Sequence, residues 1–202
     1  MKGSFLKTPI TYLLVAINVL VFIILEFQGS TQSAGFMLEH GAMNPYMVLN
    51  MGEWYRLFTC MFMHFGLNHL ISNMLLLFAL GQYFEMAVGS VRYIIIYLLS
   101  GLCGSFLSFF YRISVSGNDV VAGASGAIFG IVGGMLVVII ANKGRFAGIT
   151  LKNMVLMAAL TLYCGITTPS IDNIGHFGGL ICGVLLTVIL YLIPTSIKKK
   201  YQ

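Results

Sequence analysis

Apolar residues gather into six runs, at 10–27, 67–84, 91–110, 124–141, 151–166 and 174–193, separated by polar or mixed segments. A helix needs about 20 residues to cross a bilayer, and each run meets or approaches that length. Their pattern predicts an all-α, six-span membrane bundle. The fifth run is the shortest and carries Lys152 near one end, where a lysine stem can snorkel to the interface. Four of the five connections are short; the one at about 28–66 is long. It mixes Trp54, Tyr55, Phe58, Met61, Phe62 and Met63 with Glu39, Glu53 and Arg56. That amphipathic composition suits a segment lying in the membrane interface, with aromatic and Met side chains directed toward lipid.

Composition strengthens this picture. The chain is 58% hydrophobic and only 8% charged, against about 25% charged in soluble domains. With 202 residues, six spans and their loops leave room for a single domain, 1–202. The net charge of +5 does not form a water-facing basic patch, so no nucleic-acid partner is expected. With the amino terminus inside, nine of the eleven Lys and Arg residues fall on the cytoplasmic side, leaving Arg56 and Arg112 outside. Both termini are then cytoplasmic. A cleaved signal peptide over 1–34 fits less well: the run is long for a signal, and its loss leaves an odd number of spans. Cys60, Cys103, Cys164 and Cys182 lack paired C-x-x-C spacing and read as small hydrophobes. The terminal run Lys198 to Lys200 reads as a stop-transfer anchor.

Polar residues inside such runs are costly unless paired or used. Spans two, four and six run in the same direction, so their first turns share one depth. His69 and Asn73 lie early on the second, Ser125 opens the fourth, and His176 lies early on the sixth. Gly126, Gly130 and Gly134 form one stripe, and Gly175, Gly179 and Gly183 another. Two such stripes let helices approach closely, which brings a serine hydroxyl within reach of an imidazole. Gly123 and Gly126 flank the serine and permit a sharp turn into a helix whose first N–H groups can bind an oxyanion. His69 and Asn73, four apart on one face, can donate to the same oxyanion. His40 and His64 sit in the long connection and read as structural. With no H-E-x-x-H run, no metal site is expected. Asp172 tempts as a third catalytic member but reads better as the N-cap of the sixth helix. Glu85 reads as a structural carboxylate pairing with a loop or a neighbouring helix.

These motifs together resemble the rhomboid intramembrane serine proteases. The resemblance runs from Trp54-Tyr55-Arg56 through HFGLNHLISN at His64 to Asn73, then GASG at Gly123 to Gly126 and GHFGG at Gly175 to Gly179. It implies a six-helix bundle whose fourth helix starts below the outer surface. It further implies a Ser125 and His176 dyad without a catalytic Asp, and an oxyanion held by His69, Asn73 and the Ser125 N–H. Arg56, His64 and Glu85 match the family's loop-anchoring positions. No cofactor is implied; the expected partners are single-span membrane proteins, cut near the outer membrane face, and the bilayer itself, in a bacterial type of plasma membrane. In two places the chain departs from the pattern. Phe129 stands where many relatives have Tyr, keeping a ring that can stack on His176. Tyr55 separates Trp54 from Arg56, which leaves open which aromatic fills the family position. A silent family member that binds helices without cutting them, and a small channel or transporter, are the competing readings. The first is weakened because both Ser125 and His176 are present.

Overall fold

The computed structural model describes residues 8–167 and 171–194, without side chains at 162 and 164–167. Lys198 to Lys200 and the Cys164 side chain, which entered the reading above, lie outside it, as do Lys2 and Lys7, two of the basic residues counted on the cytoplasmic side. The long helices are α1 (Pro9–Gln28), then, after three short helices α2 (Ala34–Glu39), α3 (Pro45–Leu49) and α4 (Arg56–Thr59), α5 (Gly66–Val88) and α6 (Ser90–Ser114). α7 (Ser125–Ala141), α8 (Leu151–Thr167) and α9 (Asn173–Thr187) follow, the last continuing as a π-helical turn, Val188–Leu192. Four of these, α1, α5, α6 and α9 with its extension, are long and apolar enough to cross a membrane. The chain is a helical integral membrane bundle.

The helix α7 is the centre of the bundle. It is apolar on every face, and a helix of that kind must be surrounded; Ala127 to Met135 and Val137 to Ile139 are buried, packed by α5, α6, α8 and α9. Its 17 residues rise only about 25 Å, short of a hydrocarbon core of about 30 Å. Lys143 and Arg145 follow its C-terminal end, which they tie to an interface. An untilted helix of that length, anchored at that end, leaves Ser125 short of the opposite interface. A two-residue hairpin, β1 (Arg145–Phe146) with β2 (Ile149–Thr150), then reverses the chain into α8.

Glycine makes the tight packing possible on three helices. A Cβ on Gly179 of α9 would lie 1.9 Å from the Gly126 carbonyl oxygen of α7, and one on Gly183 would lie 2.0 Å from that of Gly130. The helix α6 joins through Gly104, whose added Cβ would meet the Gly175 carbonyl oxygen at 2.6 Å. On the outer face of the α6 and α9 contact, the Sγ atoms of Cys103 and Cys182 lie 3.0 Å apart as free thiols. Oxidation with copper phenanthroline is expected to join them, removing two alkylatable thiols in mass spectrometry, and Cys103→Ser to prevent it. Two thiols that persist through oxidation would contradict this packing.

Buried polar anchors hold α1 and the long connection. Glu85 of α5 accepts from the N–H groups of Ile10 and Thr11 at 3.0 and 2.8 Å, and from the Thr11 and Ser90 hydroxyls at 2.8 and 2.6 Å. A carboxylate thus caps the N-terminus of α1, where orphan N–H groups and the helix dipole favour a negative charge. Arg56, 4% exposed, donates through Nη1 to the Leu38 and Ala42 carbonyls at 2.6 and 2.9 Å and pairs with Glu53. Trp54, Tyr55 and Phe58 are exposed, as an interfacial segment requires. Met61 and Met63 correct the expectation: both are buried in the protein rather than turned to lipid. Gly101 on α6 leaves the slot, its absent Cβ lying 2.0 Å from the Met61 Cε, and a flexible thioether fills such irregular gaps.

Candidate active site

The loop that leads into α7 is fixed on both sides. Val121 and Met43 exchange backbone hydrogen bonds of 2.8 and 2.9 Å, and Gly123 N–H donates to the Cys60 carbonyl at 2.9 Å. Gly123 has φ +148, a conformation that side chains disfavour, and its missing Cβ would sit 2.9 Å from the His69 Cε1 and 3.5 Å from the Ser125 Oγ. Glycine there leaves the ring and the hydroxyl facing one space. The next residue, Ala124, donates its N–H to the His64 Nε2 over 3.5 Å. His64 is fully buried and its ring meets His69 edge to face at 5.2 Å. Burial, with a smaller effect from His69, pushes the His64 pKa down to about 3, so it stays neutral and can accept that bond.

Ser125 is the first residue of α7, half-buried, with no side chain capping the helix start. Its Oγ lies 2.8 Å from the His176 Nε2. The imidazole is held flat against Phe129, centroids 4.4 Å apart and planes 11° from parallel. Among the described residues its Nδ1 has no hydrogen-bond partner. Asp172 does not reach it: this carboxylate caps α9, accepting the Gly175 N–H at 3.2 Å. A serine hydroxyl within hydrogen-bond reach of an imidazole is the arrangement in which an adjacent base can activate a nucleophile.

His69 accepts the Phe65 N–H at Nδ1 over 3.3 Å. An accepting Nδ1 leaves the proton on Nε2, the atom 3.1 Å from the missing Gly123 Cβ. His69 thus presents a donor toward the Ser125 side. Asn73, one turn along the same face and 6% exposed, donates from Nδ2 to the His69 carbonyl at 2.9 Å, and its second amide hydrogen remains for another acceptor. Gly126 lies in the α7, α9 and α6 contact rather than in the open space, 3.5 Å separating its absent Cβ from the Gly175 carbonyl oxygen. Arg56 and Glu85 touch none of these groups and act through the loop and α1. Sequence reasoning passed over Gly101 and Gly104, the third set of small residues, although Ser100 to Gly104 is visibly small-residue rich.

A family model described as the Rhomboid domain matches residues 51–193. The chain belongs to the rhomboid family. It is 37% identical over 186 residues, 92% of its length, to rhomboid protease GluP of Bacillus subtilis (strain 168), of which it covers 36%. It is 38% identical over 157 residues, 76% of its length, to RHOMBOID-like protein 1 of Arabidopsis thaliana, covering 39% of that protein. With rhomboid protease AarA of Providencia stuartii it shares 29% identity over 211 residues, 94% of this chain and 75% of the relative. The chain thus spans little more than a third of the first two relatives' length. The matched rhomboid segment contains every residue of the site.

Proposed function

We propose that this rhomboid-family chain is an intramembrane serine endopeptidase, with Ser125 as nucleophile and His176 as general base. The 2.8 Å bond between Ser125 Oγ and His176 Nε2 carries the reading, and the names of the relatives GluP and AarA support it. In the first step His176 accepts the hydroxyl proton as Oγ attacks the substrate carbonyl. The oxyanion is met by the Ser125 N–H, the His69 Nε2–H and the free Asn73 amide hydrogen. His176 then delivers its proton to the leaving amine, and a water activated by the same imidazole releases the acyl group. Asp172 takes no part, and the site needs no cofactor. Phe129 keeps the ring orientation without a hydroxyl to tune it.

Substrates on this reading are single-span membrane proteins whose helix unwinds near the outer membrane face. A helix sequesters its carbonyls in its own hydrogen bonds, so only a locally unwound segment can offer one to Ser125. The orientation, with both termini cytoplasmic and the site opening outward, rests on the distribution of Lys and Arg. The test is reconstitution in lipid with a panel of single-span substrates, read by mass spectrometry of the fragments. Cleavage within or beside the spanning helix is expected. A folded protein that leaves the whole panel intact and takes no label from a fluorophosphonate would overturn the proposal.

Single oxyanion donors should matter less than the dyad. His69→Ala and Asn73→Ala are each expected to lower kcat by about 10²- to 10³-fold, the usual cost of removing one preorganised donor. His69→Ala should be the more severe, because Asn73 already spends one amide hydrogen on the His69 carbonyl. Steady-state kcat of the two variants checks this order.

A further inference from the structure

The two halves of the site arrive on different elements: Ser125 at the end of the 115–124 loop, His176 on the first turns of α9. Arg112, near the end of α6, touches both. Its Nη1 donates to the Asp119 Oδ2 at 2.6 Å, in the loop that leads to Ser125. Its Nη2 lies 3.7 Å from the Asp172 Oδ1, and that carboxylate caps α9 four residues before His176. Its Nε donates to the Ser108 Oγ at 3.3 Å, one turn back on its own helix, which fixes the direction of the fork. Arg112 and Asp172 are only 16% and 17% exposed, whereas Asp119 is 74% exposed.

We propose that Arg112 is a positioning residue that ties the serine-bearing loop to the histidine-bearing helix through Asp119 and Asp172, holding the dyad in register. The inference rests on the Ser125 and His176 reading. A planar guanidinium suits this task because its donors are spread over three nitrogens in a rigid fork, which sets the directions of three partners, whereas a lysine ammonium is one point charge on a flexible stem. The clamp adds little to stability. The Asp119 pair is largely in solvent, where ion pairs count for little. The Asp172 arm, at 3.7 Å, is longer than a hydrogen bond, and that carboxylate keeps the Gly175 N–H without it. The bundle is held by helix packing beneath. What it controls is alignment, and a misplacement of about 1 Å can cost about 100-fold in rate.

Asn caps a helix about as well as Asp, so Asp172→Asn keeps the cap on α9 and removes only the charge that Arg112 engages. Four forms are compared in lipid, Arg112→Ala, Asp172→Asn, the double variant and Arg112→Lys, by kcat, KM, rate of fluorophosphonate labelling and melting temperature. Arg112→Ala is expected to lower kcat and the labelling rate about tenfold, with KM within twofold and melting within about 2 °C. Asp172→Asn should lose part of that, the double variant no more than Arg112→Ala alone, and Arg112→Lys should recover a fraction. Turnover of Arg112→Ala within twofold of wild type overturns the clamp. So does a loss matched by lower melting, or losses that multiply in the double variant. A wild-type chain that takes no label, with Ser125→Ala as the blank, overturns the dyad reading and the clamp with it; a labelled wild type leaves the clamp to be judged by itself.

Discussion

Ser125→Ala and His176→Ala are each expected to lower kcat by about 10⁴-fold or more, and the double variant to fall little further. The reason is that the two side chains act as one unit: without the imidazole the hydroxyl keeps its proton, and without the hydroxyl the imidazole has nothing to activate. Their 2.8 Å contact means that either loss removes the same attack. Folding should be less affected. Ser125 is half-buried at a helix start, and its hydroxyl contributes only one hydrogen bond, typically worth about 1 kcal/mol net. His176→Ala also removes the ring stacked on Phe129, so its melting temperature should fall further than that of Ser125→Ala. Both variants are measured by fragment yield in lipid, beside thermal unfolding in detergent. Turnover surviving in either folded variant would exclude the dyad, and Asp172→Asn losing as much as Ser125→Ala would restore a triad.

How much of this was legible in the chain depends on which force sets each feature. The spans were readable because lipid demands apolar runs of fixed length: the run at 10–27 is the helix Pro9–Gln28, and that at 91–110 extends to Ser90–Ser114. The convergence of Ser125 and His176 was readable because the glycine stripes imply backbone contact and the topology equalises depth. The directions of Met61 and Met63 were not. Whether a methionine in an amphipathic loop turns to lipid or to protein depends on space left by other elements: for Met61 the missing side chain of Gly101, for Met63 a separate cluster with Leu25, Met37 and Ala42. The Arg112 cluster was equally hidden, since Asp119 and Asp172 lie 7 and 60 positions away and only the folded loops bring them together. The fork of Arg56 onto two loop carbonyls follows the same rule: a carbonyl acceptor leaves no trace in residue identity.

Gly179→Ala is expected to destabilise the bundle by about 3 kcal/mol, at the upper end of ordinary overpacking, and to remove most activity. Helix propensity alone argues the other way, because alanine is favoured over glycine by about 1 kcal/mol within a helix. Geometry decides the sign. The added Cβ would stand 1.9 Å from the Gly126 carbonyl oxygen and 2.8 Å from its carbon, and these are backbone atoms that no rotamer change can move. The helices α7 and α9 must separate, and the separation acts at the level of the dyad, since Gly126 adjoins Ser125 and Gly179 is one turn below His176. Gly183→Ala, whose Cβ would meet the Gly130 carbonyl oxygen at 2.0 Å, should destabilise comparably yet affect turnover less, because its contact lies a further turn from the reacting atoms. Gly35→Ala is the control: its Cβ meets nothing closer than the Ser33 Oγ at 3.9 Å, and it should leave melting and turnover near wild type. Thermal unfolding in detergent and fragment yield in lipid distinguish these outcomes. A Gly179→Ala protein that melts and cuts as the parent does would mean that α7 and α9 are not in backbone contact, and with that contact would go the physical basis for placing His176 beside Ser125.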